Sequence, residues 1–145
     1  MNQSSFRDLC REISTQMGIE DIDLLGTEGY LEIASIPMAV IFDEDLTSDR
    51  IFCYVDIGPV EDLQRLRGYE ILLELNLLSG TKTQGVYSID PSSRHVIFAV
   101  QLMDLDSLNP EQLRQQLESY SKQALRLQEI FAKETKNLDF KEIVE

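Results

Sequence analysis

Tryptophan is absent from this 145-residue chain, histidine occurs once and cysteine twice. His95 cannot complete a four-ligand zinc site with Cys10 and Cys53 without recruiting scattered carboxylates, so no metal centre is expected. Two isolated cysteines at apolar-patterned positions read as buried thiols in a reducing compartment, not as a disulfide framework. Basic side chains are scarce, 13 against 26 acidic ones, and the net charge is -13. That shortage argues against nucleic acid and against anionic membrane, both of which reward positive charge. No apolar run is long enough to span a bilayer, and Met1 to Gly18 lack the basic-then-apolar pattern of a secretory leader. A cytoplasmic protein is expected.

Catalytic patterns are missing as well. Ser92, Ser93 and His95 lie in a hairpin turn rather than at the strand-to-helix elbow of a hydrolase. Asp43, Asp45, Thr47 and Asp49 begin like a calcium loop, but Ser48 stands where glycine is required and Tyr54 where the bidentate glutamate belongs. Gly80 to Gly85 resembles a phosphate loop only loosely, since Val86 and Tyr87 follow the second glycine and the segment follows a helix. Asp104 and Asp106 read as a solvated connector before a helix cap. No enzyme activity, cofactor or small-molecule substrate is expected.

What is present is one domain's worth of alternating patterns. Ser5 to Met17 reads as a helix, capped by Ser5, with Phe6, Leu9, Cys10, Ile13 and Met17 at helical spacing and Gly18 closing it. Tyr30–Ala34, Ile36–Phe42 and Arg50–Ile57 then alternate with period two and read as three antiparallel strands. Gly58 and Pro59 break the third strand ahead of a helix over Leu63–Leu78, with Gly80 as its cap. Strands follow at Gly85–Ile89 and His95–Leu102, joined through Asp90, Pro91, Ser92 and Ser93. Asn109, Pro110 and Gln112 open the last helix, whose apolar stripe is Leu113, Leu117, Tyr120, Ala124, Leu127 and Phe131. The expected fold is α+β, in the order α-β-β-β-α-β-β-α, with helices packed on a mostly antiparallel sheet. One domain spans residues 1–132, and the mixed-charge tail 133–145 is expected to fray.

Two features exceed what one copy needs. On Leu63–Leu78, Leu66, Tyr69, Leu73 and Leu77 cluster on one side, while Ile71, Leu72, Leu75 and Leu78 fall on another, with Glu70 and Glu74 between them. A helix lying on its own core needs one apolar stripe. The second reads as a dimer seam, the alternative being a helix covered on both sides by its own fold. The out-of-phase residues of the strands are also apolar: Pro37, Ala39 and Ile41 on one, Phe52 and Tyr54 on the next. A half-solvated sheet alternates cleanly, so both faces are either covered or available for covering. Residues 1–63 hold 14 acidic and 3 basic side chains, a local net charge of -11. This suits a basic partner and equally serves solubility.

The passages LLELNLLSGTKTQGVYSID and RHVIFAVQLMDLDSLNPEQLRQQLESYSKQALRLQEI, with this order of elements, resemble the type III secretion chaperones of the Tir-chaperone (CesT-like) family. The resemblance runs from Phe6 to about Phe131. Many members carry a tryptophan late in the final helix, where this chain has Leu127 to Phe131. The resemblance implies a bacterial cytoplasmic homodimer with the second helix (Leu66, Tyr69, Ile71, Leu72, Leu73, Leu75, Leu77, Leu78) at its interface. It also implies binding of an unfolded N-terminal segment of a secreted effector in extended, export-competent form. By family position the first helix and first three strands supply the pockets, which here nominates Phe6, Leu9, Ile13, Ala39, Ile41, Phe52 and Tyr54. The alternative function is a small dimeric adaptor or regulator that binds a folded partner, unconnected with secretion.

Overall fold

The computed structural model describes residues 1–79 and 85–132. Helix α1 spans Gln3–Gln16, a short α2 spans Leu24–Glu28, and strands β1 Tyr30–Ile33, β2 Ile36–Ile41 and β3 Ile51–Gly58 follow. A 3-10 turn, Asp62–Gln64, leads into α3, Arg65–Ser79; β4 Gly85–Ile89, β5 Val96–Leu102, a second 3-10 turn and α4, Pro110–Phe131, complete the chain. The sheet is antiparallel throughout, in the order β1-β2-β3-β5-β4. The α+β fold expected from the patterns is the fold observed.

Local chemistry explains most boundaries, corrects one and adds one short element. The cap of α1 is Asn2 rather than Ser5: the Asn2 side chain accepts from the Ser5 N–H at 2.8 Å, and the Ser5 hydroxyl accepts from the Asn2 N–H at 3.0 Å. Ser5 is thus the third residue of a reciprocal capping box, which moves the helix start upstream. Helix α2 is an addition. Five residues around Gly26 carry too little periodicity to be seen in the sequence. Asn109 and Gln112 form the expected capping box on α4, with Pro110 in its first turn. The expected cap at Gly80 and the tail from Lys133 lie outside the described residues.

α4 lies across β3 and also touches β1 and β2, with α1 beside it. Their apolar stripes meet the in-phase strand residues, so Phe6, Leu9 and Ile13 of α1, Leu113, Leu117 and Leu127 of α4, and Met38, Val40, Cys53, Val55 and Phe98 of the sheet form one buried core. The rings of Phe6 and Phe42 stand 5.5 Å apart, and Phe98 packs between Tyr87, tilted at 4.9 Å, and Tyr120, edge-on at 5.7 Å. A Cβ on Gly85 would fall 2.4 Å from the Phe98 ring, so only glycine admits that packing.

α3 packs against β4, and its Gly68 lies beside Val60 and against Phe131 at the end of α4. The Asn76 side chain donates to Tyr87 O at 3.1 Å and accepts from Tyr87 N–H at 2.7 Å. A single side chain therefore takes the place of a sixth strand along the outer edge of β4. No described helix is long and apolar enough to cross a membrane.

Candidate functional site

The helices α1 and α4 cover one face of the sheet, and no described element covers the other. Register brings the out-of-phase residues into rows. Tyr30 pairs with Ala39, Ala39 with Tyr54, Tyr54 with Ala99 and Ala99 with Val86, so one apolar row crosses all five strands. Ile41, Phe52 and Gln101 form a second row beside it. Ile41, Tyr54, Tyr30 and Val86 are 43%, 41%, 43% and 55% exposed, and Ala39, Phe52 and Ala99 are half-buried. Isolated exposed apolar side chains are ordinary, whereas a contiguous set spanning a sheet makes this face the candidate interaction surface.

The polar groups of this face gather at its two ends. The Tyr30 hydroxyl donates to Glu32 Oε2 at 2.8 Å, which holds the phenol above its ordinary pKa because the neighbouring carboxylate stabilises the protonated form. Asp56 Oδ1 accepts from the Gly58 N–H at 2.9 Å and lies 2.9 Å from His95 Nδ1, tying β3 to the start of β5 across the irregular register at Asp56 and Gly58. The His95 ring therefore meets a carboxylate but, among the described residues, no serine hydroxyl. At the far end Arg50 Nη1 donates to Gln101 Oε1 at 2.9 Å. Burial raises the Cys10 and Cys53 thiols to about 12, leaving both protonated and unreactive inside the core. Among the described residues no cluster of histidine, cysteine and carboxylate side chains is placed to hold a metal ion.

The two edges of the sheet differ. Val40 N–H donates to Gly29 O at 2.8 Å, so Gly29, Leu31 and Ile33 turn their backbone groups toward β2 while Tyr30 and Glu32 turn theirs outward. β1 is a terminal strand with no described strand beyond it. The β4 edge is occupied at Tyr87 by Asn76.

The residues nominated from sequence separate into groups. Ala39, Ile41, Phe52 and Tyr54 come together on the open face. Phe6, Leu9 and Ile13 do not join them: they are 2%, 8% and 0% exposed and pack in the core on the opposite side of the sheet. On α3, Ile71, Leu72 and Leu75 are buried against this chain's own fold, whereas Leu66, Leu73 and Leu77 are 77%, 70% and 83% exposed, with Leu78 at its margin and Tyr69 half-buried. Arg67 bridges Glu70 at 3.2 Å and Glu74 at 3.5 Å along this outer surface. The helix is therefore apolar on a buried side and on an uncovered one, and Leu63 in the preceding turn extends the uncovered side.

The model of the Tir chaperone protein (CesT) family matches residues 8–128. The chain belongs to that family. Solved structures agree on the fold. One is the crystal structure of the ExsC–ExsE complex, with a TM-score of 0.71 and 14% identity, covering 89% of this chain and 95% of the other. Another is the HopA1–SchA chaperone–effector complex, with a TM-score of 0.61 and 13% identity over 89% of this chain and 98% of the other. No curated protein matches the chain.

Within this CesT-family fold Tyr30, Ala99 and Val86 join the open face beyond the residues nominated from sequence, and Ile97, paired with Asp56 and Ser88, lies in the row next to theirs. Their signal was available for β5, where Ile97 and Ala99 fall out of phase with buried Val96, Phe98 and Val100 and are apolar too. Tyr30 and Val86 were not separable from ordinary strand residues until the register aligned them.

Proposed function

We propose that the chain is a bacterial cytoplasmic type III secretion chaperone that holds the N-terminal segment of a secreted effector in extended form. The observation that carries this reading is the open sheet face. It is an apolar surface across five strands, uncovered by any described element, in a chain whose family and fold neighbours are chaperones. An extended segment suits such a surface because its side chains alternate, placing every second one on the sheet. The outward backbone groups of Tyr30 and Glu32 offer an edge for strand addition, while Asn76 closes the β4 edge, so the client enters from the β1 side. Ordering an unfolded segment costs conformational entropy, and a wide surface is needed to offset it. Ala39, Ile41, Phe52 and Tyr54 are the contacts proposed for the client. Phe6, Leu9 and Ile13, buried on the far side of the sheet, shape it from behind.

The exposed leucines of α3, Leu66, Leu73, Leu77 and Leu78, form the seam of a homodimer, with Tyr69 at its border. Ile71, Leu72 and Leu75 support the helix from its own core. Export competence follows from the mode of binding, because a client held as an extended segment has no fold to undo. Phe52→Glu with Tyr54→Glu is expected to abolish co-purification of the effector segment while leaving the dimer and the melting temperature nearly unchanged. Unfolding of the double variant, or retention of a folded effector domain instead of an unstructured segment, overturns the reading.

A further inference from the structure

The row that crosses the open face alternates in size. Tyr30, Ala39 and Tyr54 are direct neighbours on β1, β2 and β3, so two tyrosines flank an alanine floor. Two strand spacings separate the tyrosines, about 9.6 Å. Side chains stand roughly perpendicular to a sheet, and a planar group held between two ring faces at van der Waals distance needs about 7–8 Å. Only a thin group fits. The rim of this slot is Glu32, one carboxylate oxygen of which accepts from the Tyr30 hydroxyl. Glu32 has no ion-pair partner among the described residues, whereas Asp56 on the same face is already engaged by His95 and by the Gly58 N–H. The slot also lies in the half of the chain with 14 acidic and 3 basic side chains.

Resting on the client site proposed above, the geometry points to a recognition slot for an arginine side chain of the client, its guanidinium stacked between Tyr30 and Tyr54 over Ala39 and its N–H groups on Glu32. Arginine fits better than lysine because its cation is flat on both faces and carries donors in a fork that matches a carboxylate. Leucine would fill the slot but bring Glu32 no cation beyond the neutral Tyr30 hydroxyl it already accepts from. The chemistry therefore selects a segment with apolar residues at alternate positions and one arginine among them.

The test is a library of short random peptides selected against the full chain, followed by affinity measurement of single-residue variants of the winners. Recovered peptides are expected to carry arginine two residues from an apolar residue, and replacing that arginine by leucine should weaken binding about tenfold. Tyr30→Leu, Tyr54→Leu and the floor-filling Ala39→Leu should each erase the arginine-over-leucine difference while the apolar preference survives. Because both tyrosines are more than 40% exposed, the two tyrosine variants should keep the parent melting temperature. Peptides that bind equally well with leucine in place of arginine overturn the slot and leave the client site standing. Recovery of no peptide at all overturns both. Protection of Tyr30 and Tyr54 from nitration in the free protein would give the slot to a second copy of the chain and overturn it as well.

Discussion

Replacing Leu73 with alanine isolates the uncovered side of α3 from the buried one. Leu73 is 70% exposed in the single chain, so the substitution should leave folding stability almost unchanged. The exposed share of its side chain is what a second copy would cover. Alanine removes three carbons, worth about 0.8 kcal/mol each when buried, and the 70% that awaits burial scales this to about 1.7 kcal/mol per copy. A two-fold seam counts the loss twice, giving about 3.4 kcal/mol and a dimer dissociation constant weakened about 300-fold. Sedimentation velocity over a dilution series reads this directly. The control is Leu75→Ala, the same chemistry at a residue only 1% exposed, where about 3–5 kcal/mol should be lost from folding itself. An unchanged dimer for Leu73→Ala, or a parent chain that sediments as a monomer at all concentrations, would refute the assignment of this face to a second copy.

Three further outcomes follow from the packing. Asn76→Ala removes both bonds to the Tyr87 backbone and should cost about 2 kcal/mol in urea titration, while freeing the β4 edge to pair with other chains, readable as concentration-dependent association. Ala34 and Ser35 turn β1 into β2 with φ of 51° and 66°, so replacing them by Asn-Gly, the pair that accepts such angles most readily, should raise stability by about 1 kcal/mol. Alkaline pH should destabilise the fold. Burial raises Cys10 and Cys53 from 9.0 and Tyr87 and Tyr120 from 10.0, all to about 12, with a smaller contribution at Tyr120 from Cys53 and a partial offset at Tyr87 from the Gln123 bond. Groups whose folded pKa is raised give stability that is complete below the unfolded pKa and lost above it. The melting temperature should therefore be level with respect to these groups below pH 9 and fall between pH 9 and 12, and Tyr120→Phe should reduce the fall.

The strands and long helices were legible because their periods are. Ile51, Cys53, Val55 and Ile57 alternate with Phe52 and Tyr54, and the buried and open faces of β3 divide along that alternation. The two-sided character of α3 was legible for the same reason: Leu66, Leu73 and Leu77 recur at helical spacing away from Ile71, Leu72 and Leu75, and only the latter three are buried. Phe6, Leu9 and Ile13 show where such patterns stop. Their spacing fixes a helix face, but a core stripe and a client pocket look alike until the sheet and α4 are seen to lie against it. Asn76 was not legible as the closure of β4, because its partner Tyr87 lies eleven residues away and the bond depends on how α3 docks. The slot over Ala39 required the register of three strands, which one sequence does not supply.

The most direct measurement places a photo-crosslinking phenylalanine analogue at Tyr54, in cells that secrete effectors, with the same analogue at Leu125 on the outer surface of α4 as the control. The analogue at Tyr54 should capture the unstructured N-terminal segment of a secreted effector, and the one at Leu125 should capture little. Capture of a folded domain at Tyr54, or equal capture at both positions, would contradict the proposed function.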